Sequence, residues 1–146
     1  MRAIMLCMLC TLGMMSSQWA MADADADIAY RKGVMSVVGG HMKSMGTILK
    51  GRVHASDLAY HANAMQAVAA IAPTVFPEGS GEGKTNAMPA IWEEPEAFKQ
   101  AMDDYVMAAK GMATAVATND MSQVGPAIEQ LGGTCKGCHD DYKKQD

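Results

Sequence analysis

Cysteine is scarce in this chain, four among 146 residues, and two of the four, Cys7 and Cys10, lie within the first ten. No disulfide framework can be read from so few. Basic charge is also short, with 12 Lys and Arg against 16 Asp and Glu. That balance gives no support for nucleic-acid binding. The uncharged, mostly apolar stretch over residues 3–15 is shorter than the about 20 residues an ordinary membrane span requires. There is no phosphate-binding loop, no nucleophile–base pair and no pair of carboxylates set for acid–base work, so an enzyme is not expected. No segment reads convincingly as a strand, and no internal repeat or second domain is visible.

What is present begins with a processing signal. Met1-Arg2 is a short positive region, the apolar stretch follows, and Ala20-Met21-Ala22 has the A-x-A form of a cleavage site. The sequence therefore predicts a secretory signal over residues 1–22, export to the periplasm, and no membrane span after processing. Leu6 and Leu9 precede the two early cysteines where a lipoprotein signal needs a small residue, so lipidation is not expected. Residues 23–146 have the size of one domain. Loss of Arg2 leaves eleven basic residues against sixteen acidic ones. Such a surface suits a basic redox partner, although charge governs encounter rate better than it identifies partners.

The remaining cysteines belong to Cys135-Lys136-Gly137-Cys138-His139, a C-x-x-C-H run that reads as a c-type haem attachment site. Each thiol adds across a haem vinyl group to form a thioether, and the adjacent imidazole reaches the iron. The spacing suits two fixed points on one porphyrin edge, with His139 turned beneath the metal. A zinc site built on the same three residues lacks an obvious fourth ligand.

Four helical stripes are legible. The first, from about Asp27 to Lys50, runs Ile28, Arg31, Met35, Val38, Met42, Met45, Leu49 at alternating spacings of three and four. Gly39-Gly40 within it could admit a neighbouring helix or subunit, and Gly51 reads as its stop. Ser56 is a candidate N-cap for the second helix, whose stripe is Leu58, His61, Met65, Val68, Ala72 before Pro73 and Pro77. A glycine-rich crossover follows, to about Trp92. The third helix starts near Pro95 and carries Phe98, Met102, Tyr105, Ala109, Met112 and Val116. The fourth carries Val124, Ile128, Leu131, Cys135, Cys138 and Tyr142, with Pro126 marking either its start or a kink. Gly132-Gly133 would let a flat ring approach the backbone. The expected fold is all-α, an antiparallel up-down-up-down four-helix bundle enclosing a covalently attached haem.

These residues resemble the class II c-type cytochromes, that is, cytochrome c′ and its low-spin relatives. The resemblance rests on Tyr30-Arg31-Lys32-Gly33-Val34-Met35, Gly40-His41-Met42, Phe76-Pro77-Glu78-Gly79, Lys84-Thr85, Ile91-Trp92, Phe98-Lys99 and the C-terminal haem box with Tyr142 and Lys143. It covers essentially all of residues 23–146. It implies one haem c held through Cys135 and Cys138, His139 as proximal iron ligand, and Arg31 as partner of a haem propionate. The seam position of Arg31 agrees, because a guanidinium fork suits a carboxylate. Lys32 and Thr85 match positions near the haem edge. Lys143 falls where some relatives have an Arg on the proximal side, and Lys cannot make the same planar contact. A homodimer through the first two helices is a further implication.

Met35 aligns with the family's distal position. In low-spin relatives a Met there is the sixth ligand, and Met/His ligation favours electron transfer. In five-coordinate relatives the side chain there leaves the iron open to nitric oxide or carbon monoxide. The expected function is a periplasmic electron carrier using Fe(III)/Fe(II), with His139 proximal and Met35 as candidate distal ligand; the alternative is a five-coordinate gas binder. A peroxidase is disfavoured because no distal acid–base apparatus is evident. Met42 reads as core, His41 as a surface or interface residue, His54 as part of a link, and His61 as a half-buried hydrogen-bonded residue.

Overall fold

A computed structural model describes the backbone of residues 2–145 and the side chains of residues 23–145. The processing signal expected over residues 1–22 lies outside the described side chains. Among the described residues five α-helices follow in order: α1 (Arg2–Gly51), α2 (Leu58–Ala69), α3 (Ala90–Glu93), α4 (Pro95–Ala117) and α5 (Met121–Tyr142). The four longer helices form the bundle. α3 is one turn within the crossover. Among the described residues no helix is long and apolar enough to cross a membrane.

Several boundaries differ from expectation. α1 extends upstream of Asp27, through a stretch where Ala20, Ala22, Ala24 and Ala26 are strong helix formers and no proline intervenes. It ends at Gly51, but the left-handed residues of the link are Arg52 (φ 51°) and His54 (φ 50°). Ser56 does not cap α2. Its hydroxyl donates to Asp57 Oδ1, and residues Ala55–Asp57 form a 3₁₀ turn leading into the helix. α5 begins at Met121, so Pro126 lies inside it. Asp120 is the cap, its carboxylate accepting from the Ser122 N–H at 2.9 Å.

The core follows the stripes. Met45, Met65, Met112 and Leu131 are fully buried, and every seam position of α4 is buried. The stripe of α1 is wider than seven residues, since Val34 and Ile48 are buried as well. α1 packs on α2, α2 on α4, and α4 on α5, whereas α1 and α5 pack only sparsely on each other. That unfilled seam positions the site.

The crossover is fixed by specific contacts. Gly81 allows a close approach, because a Cβ there would lie 2.9 Å from Cζ3 of Trp92 and something would have to shift. The Trp92 indole N–H donates to the carbonyls of Phe76 and Pro77, each at 3.2 Å. Further on, Ala87 and Lys143 form an isolated antiparallel bridge, flanked by Met88 N–H to Tyr142 O at 2.9 Å and Lys144 N–H to Asn86 O at 2.8 Å. The segment after α5 is thereby tied to the crossover.

Candidate haem site

Between α1, α4 and α5 lies a cavity of about 1020 Å³, at the upper end of ordinary ligand pockets, about 300–1,000 Å³. Its lining brings together all seven residues singled out in the sequence: Arg31, Lys32, Met35, Thr85, Cys135, Cys138 and His139. The last three come from one face of α5, because positions three and four apart are neighbours on a helix. Apolar side chains line most of the rest, among them Met42, Ile91, Met102 and Tyr105. At one end Phe76, Phe98 and Tyr142 stack edge to face, with centroids 4.9 Å and 5.2 Å apart.

The two thiols are half-buried and form no disulfide. Burial raises the Cys135 thiol above its ordinary pKa. Cys138 is pushed up to about 11 by burial first, then by Cys135 and Asp141. Both are therefore protonated at neutral pH. His139 is shifted down, by burial foremost and by Lys143 next, against the opposing pull of Asp140. A neutral imidazole with an available lone pair results.

Arg31 is 4% exposed. Its Nη1 donates to Ser80 Oγ at 2.7 Å and Val75 O at 3.5 Å, while Nη2 donates to Ser80 O and Thr85 Oγ1, both at 2.8 Å. The guanidinium also lies 5.1 Å from the Phe76 ring centroid. Four terminal N–H groups thus serve the crossover, which leaves Nε–H outside this set. Among the described residues Arg31 makes no ion pair. Burial lowers its pKa, opposed by the charge of Asp27. Thr85 Oγ1 accepts a second bond from the Ala87 N–H at 3.1 Å. Lys32, at the exposed rim, donates from Nζ to the Lys84 carbonyl.

A c-type haem is a flat apolar ring with carboxylates at one edge, and the residues present fit it. Thiols and imidazole share one wall. Gly39 and Gly46, seven apart on α1, line the cavity, and a Cβ at either would meet nothing within 4 Å. A Cβ at Gly40 would likewise meet nothing within 4 Å, so among the described residues no helix presses on Gly39-Gly40. The expectation of a neighbouring helix is corrected, that of a neighbouring subunit is untouched, and Gly39 lines the cavity. Gly46 was missed in the sequence, although its heptad spacing from Gly39 was the available signal. Of the ring-approach pair, Gly132 packs against Met42, where a Cβ would sit 3.3 Å from the methionine methyl. Lys43, Lys50 and Lys143 add basic groups to the lining.

The remaining histidines lie elsewhere. His54 is exposed in the link after α1. His41 and His61 meet between α1 and α2 with their Nδ1 atoms 3.0 Å apart. Burial first, and His61 second, lower the pKa of His41.

Comparison with known proteins agrees with this geometry. The family model for cytochrome C′ matches residues 26–143. Cytochrome c′ of Rhodospirillum rubrum is 40% identical over 124 residues, which are 84% of this chain and 84% of the relative. That of Pararhodospirillum photometricum is 38% identical over 125 residues, 84% of this chain and 100% of the relative. The solved structure of cytochrome c prime from Shewanella frigidimarina superposes with a TM-score of 0.80 at 30% identity, covering 84% of this chain and 97% of that one. The chain belongs to the cytochrome c′ family of four-helix-bundle proteins, which carry one covalently attached c-type haem.

Proposed function

We propose that the protein is a five-coordinate haem c protein that binds nitric oxide or carbon monoxide. The observation that carries this reading is the run of apolar positions that α1 gives to the cavity wall, Met35, Val38, Gly39 and Met42. Membership of the cytochrome c′ family favours the same reading over electron transfer. The family comprises haem proteins that bind gases or carry electrons, not enzymes.

Cys135 and Cys138 would hold the haem as thioethers, each S–H adding across one vinyl double bond. When bound, the haem supplies an iron centre with one open position for a diatomic ligand. His139 would hold that iron from the proximal side through its neutral ring nitrogen. Arg31 supplies a buried positive charge near the cavity, and with its terminal N–H groups engaged it would act on a propionate through that charge. Thr85 fixes the guanidinium, and Lys32 offers a solvent-side cation at the rim. Met35 and Met42 would present apolar side chains to the group held there.

Electron transfer is the second reading, and one observation favours it: Met35 sits on the cavity wall, where its thioether could serve as sixth ligand. Absorption and magnetic resonance of ferric and ferrous protein, with and without Met35→Ala, separate the two. High-spin iron unchanged by the substitution, with ferrous protein titrating one nitric oxide per haem, supports gas binding. Low-spin iron that becomes high-spin in Met35→Ala establishes the carrier reading instead.

The proposed setting is the periplasm, after removal of residues 1–22. A homodimer is proposed through the outer face of α1 and α2, where Tyr30, Val37 and Tyr60 are apolar yet exposed. Val37→Glu should convert a dimer to a monomer in sedimentation; a wild type that sediments as a monomer would refute it. For the electron-transfer reading, redox proteins are the corresponding partners.

A further inference from the structure

Away from the haem cavity, two imidazoles on different helices are held with their coordinating atoms together. His41 projects from α1 and His61 from α2, and the Nδ1···Nδ1 separation is 3.0 Å. Both rings are half-buried, and their centroids are 5.3 Å apart at an interplanar angle of 61°. The Tyr60 ring flanks both, its centroid 6.2 Å from His41 and 5.3 Å from His61. None of the three lines the cavity.

As neutral rings, one histidine must carry its proton on Nδ1 and donate it to the lone pair of the other. That arrangement satisfies one nitrogen of each ring. It also sets the two Nδ1 atoms at the bite of a chelate. With metal–nitrogen bonds of about 2.0–2.1 Å, two imidazole nitrogens stand about 2.9 Å apart at a right angle and about 3.3 Å apart at the tetrahedral angle. The observed separation lies between these values. Only ring rotation is needed to aim both lone pairs at one point, because the helix packing already supplies the spacing.

We infer that His41 and His61 form a two-imidazole site for a first-row transition-metal dication, on the α1–α2 side of the bundle and separate from the haem. Binding moves the shared proton from Nδ1 to Nε2 of the same ring, so two neutral imidazoles release no net proton. No group of three metal-ligating side chains converges among the described residues. Water completes the coordination in a single chain. Imidazole ligation selects copper, nickel and zinc over magnesium and calcium.

Isothermal titration of the ferric haem-loaded protein with nickel(II) tests the site. One nickel per chain, weakened at least about tenfold by His41→Gln and by His61→Gln but not by His54→Gln, is expected, since even a supporting partner of a metal ligand is worth about 10–100-fold. One nickel per two chains, lost in the same two variants, also supports the pair as ligands. No binding by the wild type, or affinity unchanged in both variants, overturns the inference. Should either variant lose its haem band, proton NMR of the wild type decides. Sub-stoichiometric nickel(II) should broaden the His41 and His61 ring resonances first, and broadening that starts elsewhere refutes the site.

Discussion

Nη1 of Arg31 stands 2.7 Å from Oγ of Ser80, joining a cation on α1 to a hydroxyl that has no exposed surface. Ser80 in turn donates to the Pro77 carbonyl at 2.8 Å. Arg31→Leu should remove the fork that organises residues 75–85. With hydrogen bonds to charged groups worth about 1.5–3 kcal/mol each, the expected loss is about 3 kcal/mol or more in denaturant unfolding. Arg31→Lys should fall between the two, because an ammonium lacks the planar fork. Equal stability of Arg31→Leu and wild type would show that the clamp contributes nothing.

Gly81→Ala should destabilise the protein by about 1–3 kcal/mol, the range for overpacking. The added methyl meets the Trp92 ring rather than a flexible chain end. The change should be visible as altered Trp92 fluorescence together with a lower midpoint of unfolding. An unchanged midpoint would mean that the ring yields freely.

The α5 cap predicts a definite pH dependence. Hydrogen bonds from Ser122, foremost, and Gln123 hold the Asp120 carboxyl below its ordinary value. The unfolded chain therefore takes up this proton at a higher pH than the folded one. The cap's contribution is present above the ordinary carboxylate value, about 4, and is lost as pH falls through the lower folded value. Asp120→Asn, which keeps an acceptor, should flatten that acid limb in thermal melts and leave neutral stability nearly unchanged. An acid limb identical to wild type would remove Asp120 from the account.

Cys138→Ser should leave haem held by a single thioether. Extraction with acidified organic solvent should then still retain the haem but release more than from wild type, and the double variant with Cys135→Ser should lose it entirely. Equal retention by the single variant and wild type would refute attachment through Cys138.

The stripes on α4 and α5 were legible because each apolar position there recurs at helical spacing and each is buried, lines the cavity or, for Ile128, packs half-buried against the core. The haem box was legible because its three reactive groups are contiguous. Arg31 was visible as an outlier in an apolar seam, but its partners were not. Ser80 and Thr85 lie 49 and 54 residues away, and no local pattern encodes which carbonyl a folded loop presents. The His41–His61 pairing was hidden for the same reason, since each histidine read separately has only its own helix face. The start of α1 was misjudged because amphipathic periodicity ends near Asp27, whereas backbone propensity does not.

The Ala87–Lys143 bridge has a mechanical meaning for His139, the proposed iron ligand. From the α1 guanidinium, bonds run through Thr85 Oγ1 to the Ala87 N–H, across the bridge, and from the Lys143 N–H to the His139 carbonyl at 3.3 Å. His139 is thus moored at its main chain by contacts that reach back through the crossover to α1. With His139 as the proposed iron ligand, a slack mooring at Thr85 would loosen its hold without altering a single ligand.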